Sequence, residues 1–402
     1  MQVLIGLTNT NGATSGLKLI ENLMSPIKKV ILVCMVDSIH VARWLSTFSG
    51  QEISFILLPS TPNRSIHPKI KELIIGNSNQ ESTVEIRPFG GRLSIPLWLL
   101  DIIFRDWIRG AILSKLIKST QPEYVHALEL NHAGYIMSHA QRRHKSNLVK
   151  FIATNWGSDI FWFQQFSSHR KRLERLLSDL DFYSAECHRD LELATKFGFK
   201  GRFKDVLPNA GGFEHSYINK TLTRTSDRKI IIIKGYQSFV GRAILALEAI
   251  GSISKNLSNY RFIVYSANYK TQRLVKKLKS QNGLEITCYG KKQLSHNEML
   301  SLFESARIYL GVSLSDGIST SLLEAMAGGA FPIQTSTSCA DEWIVNGVSG
   351  FLVEASIESI SNALLIASTN DELVDFASDI NIKLVREKLD ESVINEKLIK
   401  FY

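Results

Sequence analysis

Apolar residues in this chain gather into short β-rich runs separated by stretches with helical spacing, and the alternation continues over nearly the whole length. In the first half the runs predict strands at Val3 to Leu7, Val30 to Val36, Ile53 to Leu58, Val84 to Pro88, Tyr124 to Leu128, Leu148 to Thr154, Phe182 to Ala185 and Asp205 to Pro208. A second series opens with IIIIKG after Lys229 and continues through RFIVYS at Arg261, LEITCYG at Leu284, ARIYLGVS at Ala306, AFPIQT at Ala330 and GFLV at Gly350. Strands that alternate with helices build βα units and parallel sheets, so the pattern predicts two doubly wound α/β domains. Ser216 to Arg228 carries no apolar period and reads as the linker, which puts the first domain at residues 1–215 and the second at 229–382. Residues 370–402 are helical by period, and their last part, about 383–402, is expected to return to the first domain.

Composition narrows this picture. With 402 residues, 44% hydrophobic and 21% charged, the chain is long enough for two cores and is neither disordered nor collagen-like. Cys34, Cys187, Cys288 and Cys339 lie far apart without a CxxC pair, so neither a zinc site nor a disulfide scaffold is expected, and a reducing compartment fits. The opening MQVLIGLT reads as a strand rather than a targeting segment. Leu93 to Phe104, the longest apolar stretch, contains Asp101 and falls short of the roughly 20 residues a spanning helix needs. A cytoplasmic protein is expected.

The net charge of +9 is unevenly spread, because residues 1–220 hold 27 basic and 19 acidic side chains. The first half is therefore expected to meet an anionic partner. No nucleic-acid motif is present, which leaves an anionic membrane surface. Residues 92–118, RLSIPLWLLDIIFRDWIRGAILSKLIK, place Trp98, Phe104 and Trp107 at helical spacing among Arg105, Arg109, Lys115 and Lys118, as a helix lying on such a surface would, the plain alternative being a helix that covers the protein's own core.

The most informative stretch for chemistry is 311–350, GVSLSDGISTSLLEAMAGGAFPIQTSTSCADEWIVNGVSG. A strand ends near Ser313, a loop carries Asp316, Gly317 and Ile318, and Ser319, Thr320 and Ser321 open a helix. Unpaired amides at a helix start, together with the helix dipole, suit a diphosphate. Glu324, one turn on, is suited to accept hydrogen bonds from a vicinal diol such as a ribose. DGISTSLLEAMAGGAFPI followed by DEWIVNGVSGFLV resembles the donor-binding region of retaining GT-B glycosyltransferases of family 4, where seven residues separate two acids. That resemblance implies a GT-B fold, two Rossmann-like domains facing a central cleft, with the first acid, Asp316, near the donor sugar and the second, Glu324, on the nucleotide ribose. The family usually has Glu at the first position.

The same resemblance assigns further roles. Family members place an Arg and a Lys at a strand-to-helix turn to neutralise the leaving diphosphate, and in IIIIKGYQSFVGRAILALEAI these correspond to Lys234 and Arg242, although eight apart rather than five. In LTNTNGATSGLKLIENL, Asn11 and Gly12 would lie near the donor phosphate or the acceptor; a tight turn is the plain alternative. FIATNWGSDIFWF resembles the family's His-Gly-Ser/Thr-Asp element with Trp156 in the His position, so Asp159 joins the catalytic group and His132 in ELNHAGY is the candidate to replace the missing His. Asp159 as a helix cap remains the rival reading.

The resemblance implies a metal-independent, retaining hexosyltransferase. It would move sugar from a UDP- or GDP-linked donor, with no other cofactor, to a glycan or lipid-linked acceptor of bacterial cell-surface polysaccharide or glycolipid synthesis, as a peripheral protein on the inner face of the cell membrane. Two rivals share the fold: a UDP-sugar epimerase, and a subunit that binds a nucleotide without turnover.

Overall fold

The computed structural model describes residues 27–62, 65–76, 83–87, 94–144, 148–208, 211–218 and 222–402. Strand Val3 to Leu7, Asn11 and Gly12 lie outside them.

Runs such as Ile230–Lys234, with four consecutive isoleucines, can bury both faces only inside a parallel sheet covered on both sides. Two such sheets form. The first joins β1 (Lys28–Cys34), β2 (Ile53–Pro59), β3 (Val84–Ile86), β4 (Tyr124–Leu128), β5 (Lys150–Thr154), β6 (Phe182–Ser184) and β7 (Arg202–Phe203) in the order β3-β2-β1-β4-β5-β6-β7. The second joins β8 (Ile230–Lys234), β9 (Arg261–Ala267), β10 (Ile286–Gly290), β11 (Ile308–Gly311), β12 (Phe331–Thr335) and β13 (Phe351–Val353) in the order β10-β9-β8-β11-β12-β13. Strand order reverses between β1 and β4 and again between β8 and β11, which opens a crevice at the carboxyl ends of those strands.

Three expectations are corrected. The last strand of the first series is Arg202–Phe203, paired with Phe182 and Tyr183, while Asp205 to Pro208 runs on as a loop. The 92–118 stretch is two helices, Ser94–Ile103 and Trp107–Thr120, because Arg105 and Asp106 take left-handed φ of 51° and 66°. Asp101, expected on a surface helix, is fully buried and receives the amides of Ile108 and Arg109 at 2.7 and 3.3 Å. Arg109 is buried too, paired with Asp101 and Asp106, so it cannot face a membrane. The third correction concerns cysteine: Cys187, just past β6, and Cys339, after β12, form a disulfide.

The segment between the sheets is strapped to the second one. Arg228 buries its guanidinium and donates to the carbonyls of Thr223, Ala306 and Gly328. Helix Glu391–Ile399 leads back to the first sheet, where the Tyr402 ring packs on Trp44, Phe48, Phe55 and Tyr124. The Tyr402 hydroxyl lies 2.6 Å from His126 Nδ1 and accepts from Trp44 Nε1 at 3.0 Å.

Candidate functional site

Lys234 ends β8, so its ammonium emerges at the crevice, where Nζ donates to Ser319 Oγ at 3.0 Å and stands 3.6 Å from Asp316 Oδ2. Burial works to lower the Lys234 pKa, but the Asp316 carboxylate, with Tyr309 and Glu324 beyond it, outweighs burial, and the net shift is upward. The lysine is held charged. Ser319 precedes helix Thr320–Ala327 and makes no side-chain cap, so its hydroxyl is left to Lys234 and the first amides of the helix have no intrahelical partner. A cation and an amide-rich helix start therefore converge on one point, an arrangement that binds a polyanion. Thr320 and Ser321 are half-buried, whereas Ile318 is in the core.

Arg242 does not join this group. Its guanidinium donates to the carbonyls of Ser238 and Gly241 at 2.9 and 3.0 Å, so it braces its own loop. Glu324 is buried with one carboxylate oxygen 2.8 Å from His296 Nε2, and Arg43 of the first sheet's layer reaches the same imidazole at 3.4 Å. Glu324, His296, Arg43, Thr47, Tyr217 and Glu304 line a cavity of about 800 Å³ between the two sheets. The start of one helix thus meets Lys234 and Asp316, and the same helix carries the Glu324 carboxylate, which lines a cavity, a turn later.

On the opposing edge, Asp159 is buried and accepts from the amides of Leu130 and Trp156 at 2.8 and 3.3 Å and from Asn131 Nδ2 at 3.3 Å. It holds two loops rather than facing the cavity. Burial pushes its pKa up against those hydrogen bonds, with Asp190 adding to the rise. His132, in the turn Leu130–Gly134, keeps an exposed edge, and desolvation of the rest of the ring, then the charge of Arg109, lowers its pKa. Among the described residues no contact joins His132 or Asp159 to Lys234 or Asp316. Trp156 packs beside His40, ring centres 5.9 Å apart.

The group that sequence reasoning missed is Glu186–Asp190, directly after β6. Glu186 accepts from the Gly157 amide at 2.9 Å, and a Cβ on Gly317 would come within 2.4 Å of Glu186 Oε2, so a larger residue there would push the Glu186 carboxylate aside. Arg189 spans the seam: Nη2 donates to the Asp316 carbonyl at 2.9 Å, Nη1 to the Thr337 carbonyl at 3.3 Å, and Nε to Asp190 at 2.9 Å. Its guanidinium also stacks 3.8 Å from the Phe161 ring centre. His188 pairs with Glu342 at 2.9 Å, and Glu342 accepts the His188 amide at 2.8 Å. A signal was available, since polar residues just past a predicted strand of a parallel sheet sit where ligands and partners meet it.

Residues 217–379 match the family model described as glycosyl transferases group 1, and residues 101–185 match glycosyl transferase 4-like. No curated protein matches. Among solved structures, HepE of Anabaena in complex with UDP and glucose is 13% identical, with a TM-score of 0.66 over 93% of this chain and 99% of that one. A glycosyltransferase from Rickettsia africae is 14% identical, with a TM-score of 0.66 over 94% and 98%. The sucrose-phosphate synthase of Thermosynechococcus elongatus is 12% identical, with a TM-score of 0.65 over 93% and 98%. At such identities the likeness establishes the fold, two Rossmann-like domains of GT-B type.

Proposed function

Starting from a GT-B chain whose second half carries a group 1 glycosyltransferase domain, we propose that it transfers a hexose from a UDP- or GDP-linked donor to a glycan or lipid-linked acceptor, retaining the anomeric configuration and using no metal. The observation that carries this reading is Lys234 meeting Ser319 and Asp316 at the start of helix Thr320–Ala327, with Glu324 a turn further on. The diphosphate lies on Lys234 and the helix amides, which stabilise the negative charge that grows as the sugar departs. Glu324 takes the ribose hydroxyls, exchanging its bond to His296 for them. Asp316 faces the sugar. UDP in the HepE complex makes UDP the first nucleotide to try. Thermal shift with UDP, GDP and ADP tests the donor class: a nucleotide at a hundredfold its Kd stabilises by about 2.7 kcal/mol, and no shift with any of them removes the reading.

The acceptor side of the proposal is a membrane surface. Leu99, Ile102, Ile103, Phe104 and Trp107 are all exposed, with Ile103 at 73%, on helix Ser94–Ile103, the turn after it and the first residue of helix Trp107–Thr120. Exposed Arg105 adjoins them, and the Arg143 guanidinium lies 5.3 Å from the centre of the Trp107 ring. Apolar side chains rimmed by arginine suit an anionic bilayer. Among the described residues no helix is long and apolar enough to cross a membrane, so attachment is peripheral in this reading.

A further inference from the structure

The seam between the two domains is closed beside Asp316 by a cluster that donor chemistry does not use. Cys187 stands at the start of helix His188–Lys196, and Cys339 stands just before the turn Ala340–Glu342. Their Cα atoms are 6.3 Å apart, inside the span of about 4.4–6.8 Å that a disulfide bridges. Both residues are buried in the seam. Around them Glu342 receives the His188 amide, and Arg189 holds the carbonyls of Asp316 and Thr337. Ser338, next to Cys339, is bridged through its backbone to Asp316. A covalent link here therefore fixes the loop that carries Asp316. The closed seam leaves little space above that loop: a Cβ on Gly317 would lie 3.3 Å from Gly157 Cα and 2.4 Å from Glu186, so the facing loops already touch. A diphosphate and sugar can reach Lys234 and Asp316 only if this edge widens.

We propose that Cys187 and Cys339 are a reversible thiol–disulfide latch that holds the two domains shut over Asp316 when oxidised and frees them when reduced. With the seam open, the Cys187 thiolate attacks a sulfur of a low-molecular-weight disulfide and displaces one thiol. The Cys339 thiolate then attacks the Cys187 sulfur of that mixed disulfide, forming the interdomain bond and displacing the second thiol. Two protein thiols lose two electrons and two protons, and the external disulfide becomes two thiols. A dithiol reverses both steps.

The consequence for nucleotide binding rests on the donor reading, while the latch is tested without it. The purified chain is equilibrated with oxidised glutathione or with dithiothreitol, then digested without reduction and mapped by mass spectrometry. The expected result is a peptide pair joined through Cys187 and Cys339 after the first treatment only, and a smaller radius of gyration by X-ray scattering in the oxidised sample. UDP binding by calorimetry is expected to weaken at least tenfold on oxidation and to recover with dithiothreitol. Cys187→Ser and Cys339→Ser should each abolish the linked pair and its dependence on glutathione; two separate variants guard against one that fails to fold. An oxidised sample without the linked pair overturns the proposal, as does a linked chain that is no more compact than the reduced one. Zinc retained stoichiometrically on the two thiols also overturns it. Linkage with compaction but no UDP binding in either state sustains the latch and sinks the nucleotide reading instead.

Discussion

At the carboxyl edge of the second sheet Lys234 and Asp316 meet with only 26% and 27% of their side chains exposed, paired with each other rather than with the first domain. The same edge of the first sheet carries buried acids, among them Glu129, Asp159 and Asp190, each already occupied by protein donors. Burial raises all three pKa values, that of Asp190 to about 6 against the lowering pull of Arg189. Strand order is the same on either side of the two switch points, so topology does not make this difference. At the second edge Lys234 is paired with Asp316 and Ser319, groups that an incoming diphosphate can replace, while the first edge spends its acids on tying loops 129–134 and 155–159 into a shelf. A crevice in a doubly wound fold is a place where a site can be; which edge is a site depends on where hydrogen-bonding capacity is left over.

The sharpest break of that contrast is Lys234→Ala. If the second edge supplies transition-state charge, donor turnover should fall by about 10²–10³-fold, the typical cost of deleting one preorganised donor, with a smaller change in KM. Steady-state kinetics with the donor found in the nucleotide screen measures it. A kcat within threefold of wild type would erase the distinction between the edges.

Glu324→Ala comes next. Losing a charged acceptor for the ribose costs about 1.5–3 kcal/mol, or roughly 10–150-fold in UDP affinity by calorimetry. His296→Ala should be mild or tighten binding, because it frees the carboxylate that the imidazole now occupies. The reverse order of effects would make His296, not Glu324, the nucleotide contact.

How much of this was legible in the residues follows the same division. All six strands of the second sheet, and the Asp316 to Glu324 loop and helix, stand out because each is a local pattern: an apolar run, a small-residue cap, a period. Arg109 was misread because helical spacing says that a residue faces some side, and not that Asp101 and Asp106 wait on that side. Cys187 and Cys339 are 152 residues apart, and no short-range spacing encodes a contact made only when two domains meet. Arg242 shows the converse, since its position at a strand-to-helix turn was read correctly while the carbonyls that capture it were not visible.

The exposed apolar helix gives a third, smaller test, in which the first domain acts as the membrane-facing one. Ile103→Glu with Phe104→Glu removes two exposed side chains, 73% and 56% accessible, and touches no buried group. Flotation with anionic liposomes at low salt should drop severalfold while thermal stability stays within about 0.5 kcal/mol, as for other surface changes. Equal flotation of the variant and wild type would detach the membrane from this helix.

The smallest expected effect is on the shelf itself, through Glu129→Gln. Glu129 is buried at the end of β4, accepts from Ser60 Oγ at 3.0 Å, and has its pKa raised by burial first and the Asp159 charge second. A carboxyl whose pKa is higher folded than unfolded binds more protons in the native state, so its stabilising contribution is full below the ordinary value of about 4.3 and is lost as pH rises through the native value. His126 runs the other way: burial and Lys204 push its pKa down to about 3, so its contribution is lost as pH falls below 6.5, and above that it adds no slope. Melting curves taken on the alkaline side therefore isolate the acids. Wild type should lose melting temperature between about pH 6.5 and 8.5, at roughly 2–4 °C per kcal/mol, and Glu129→Gln, which keeps an acceptor for Ser60 but cannot ionise, should lose measurably less over the same interval. If the two slopes coincide, Glu129 does not carry the proton.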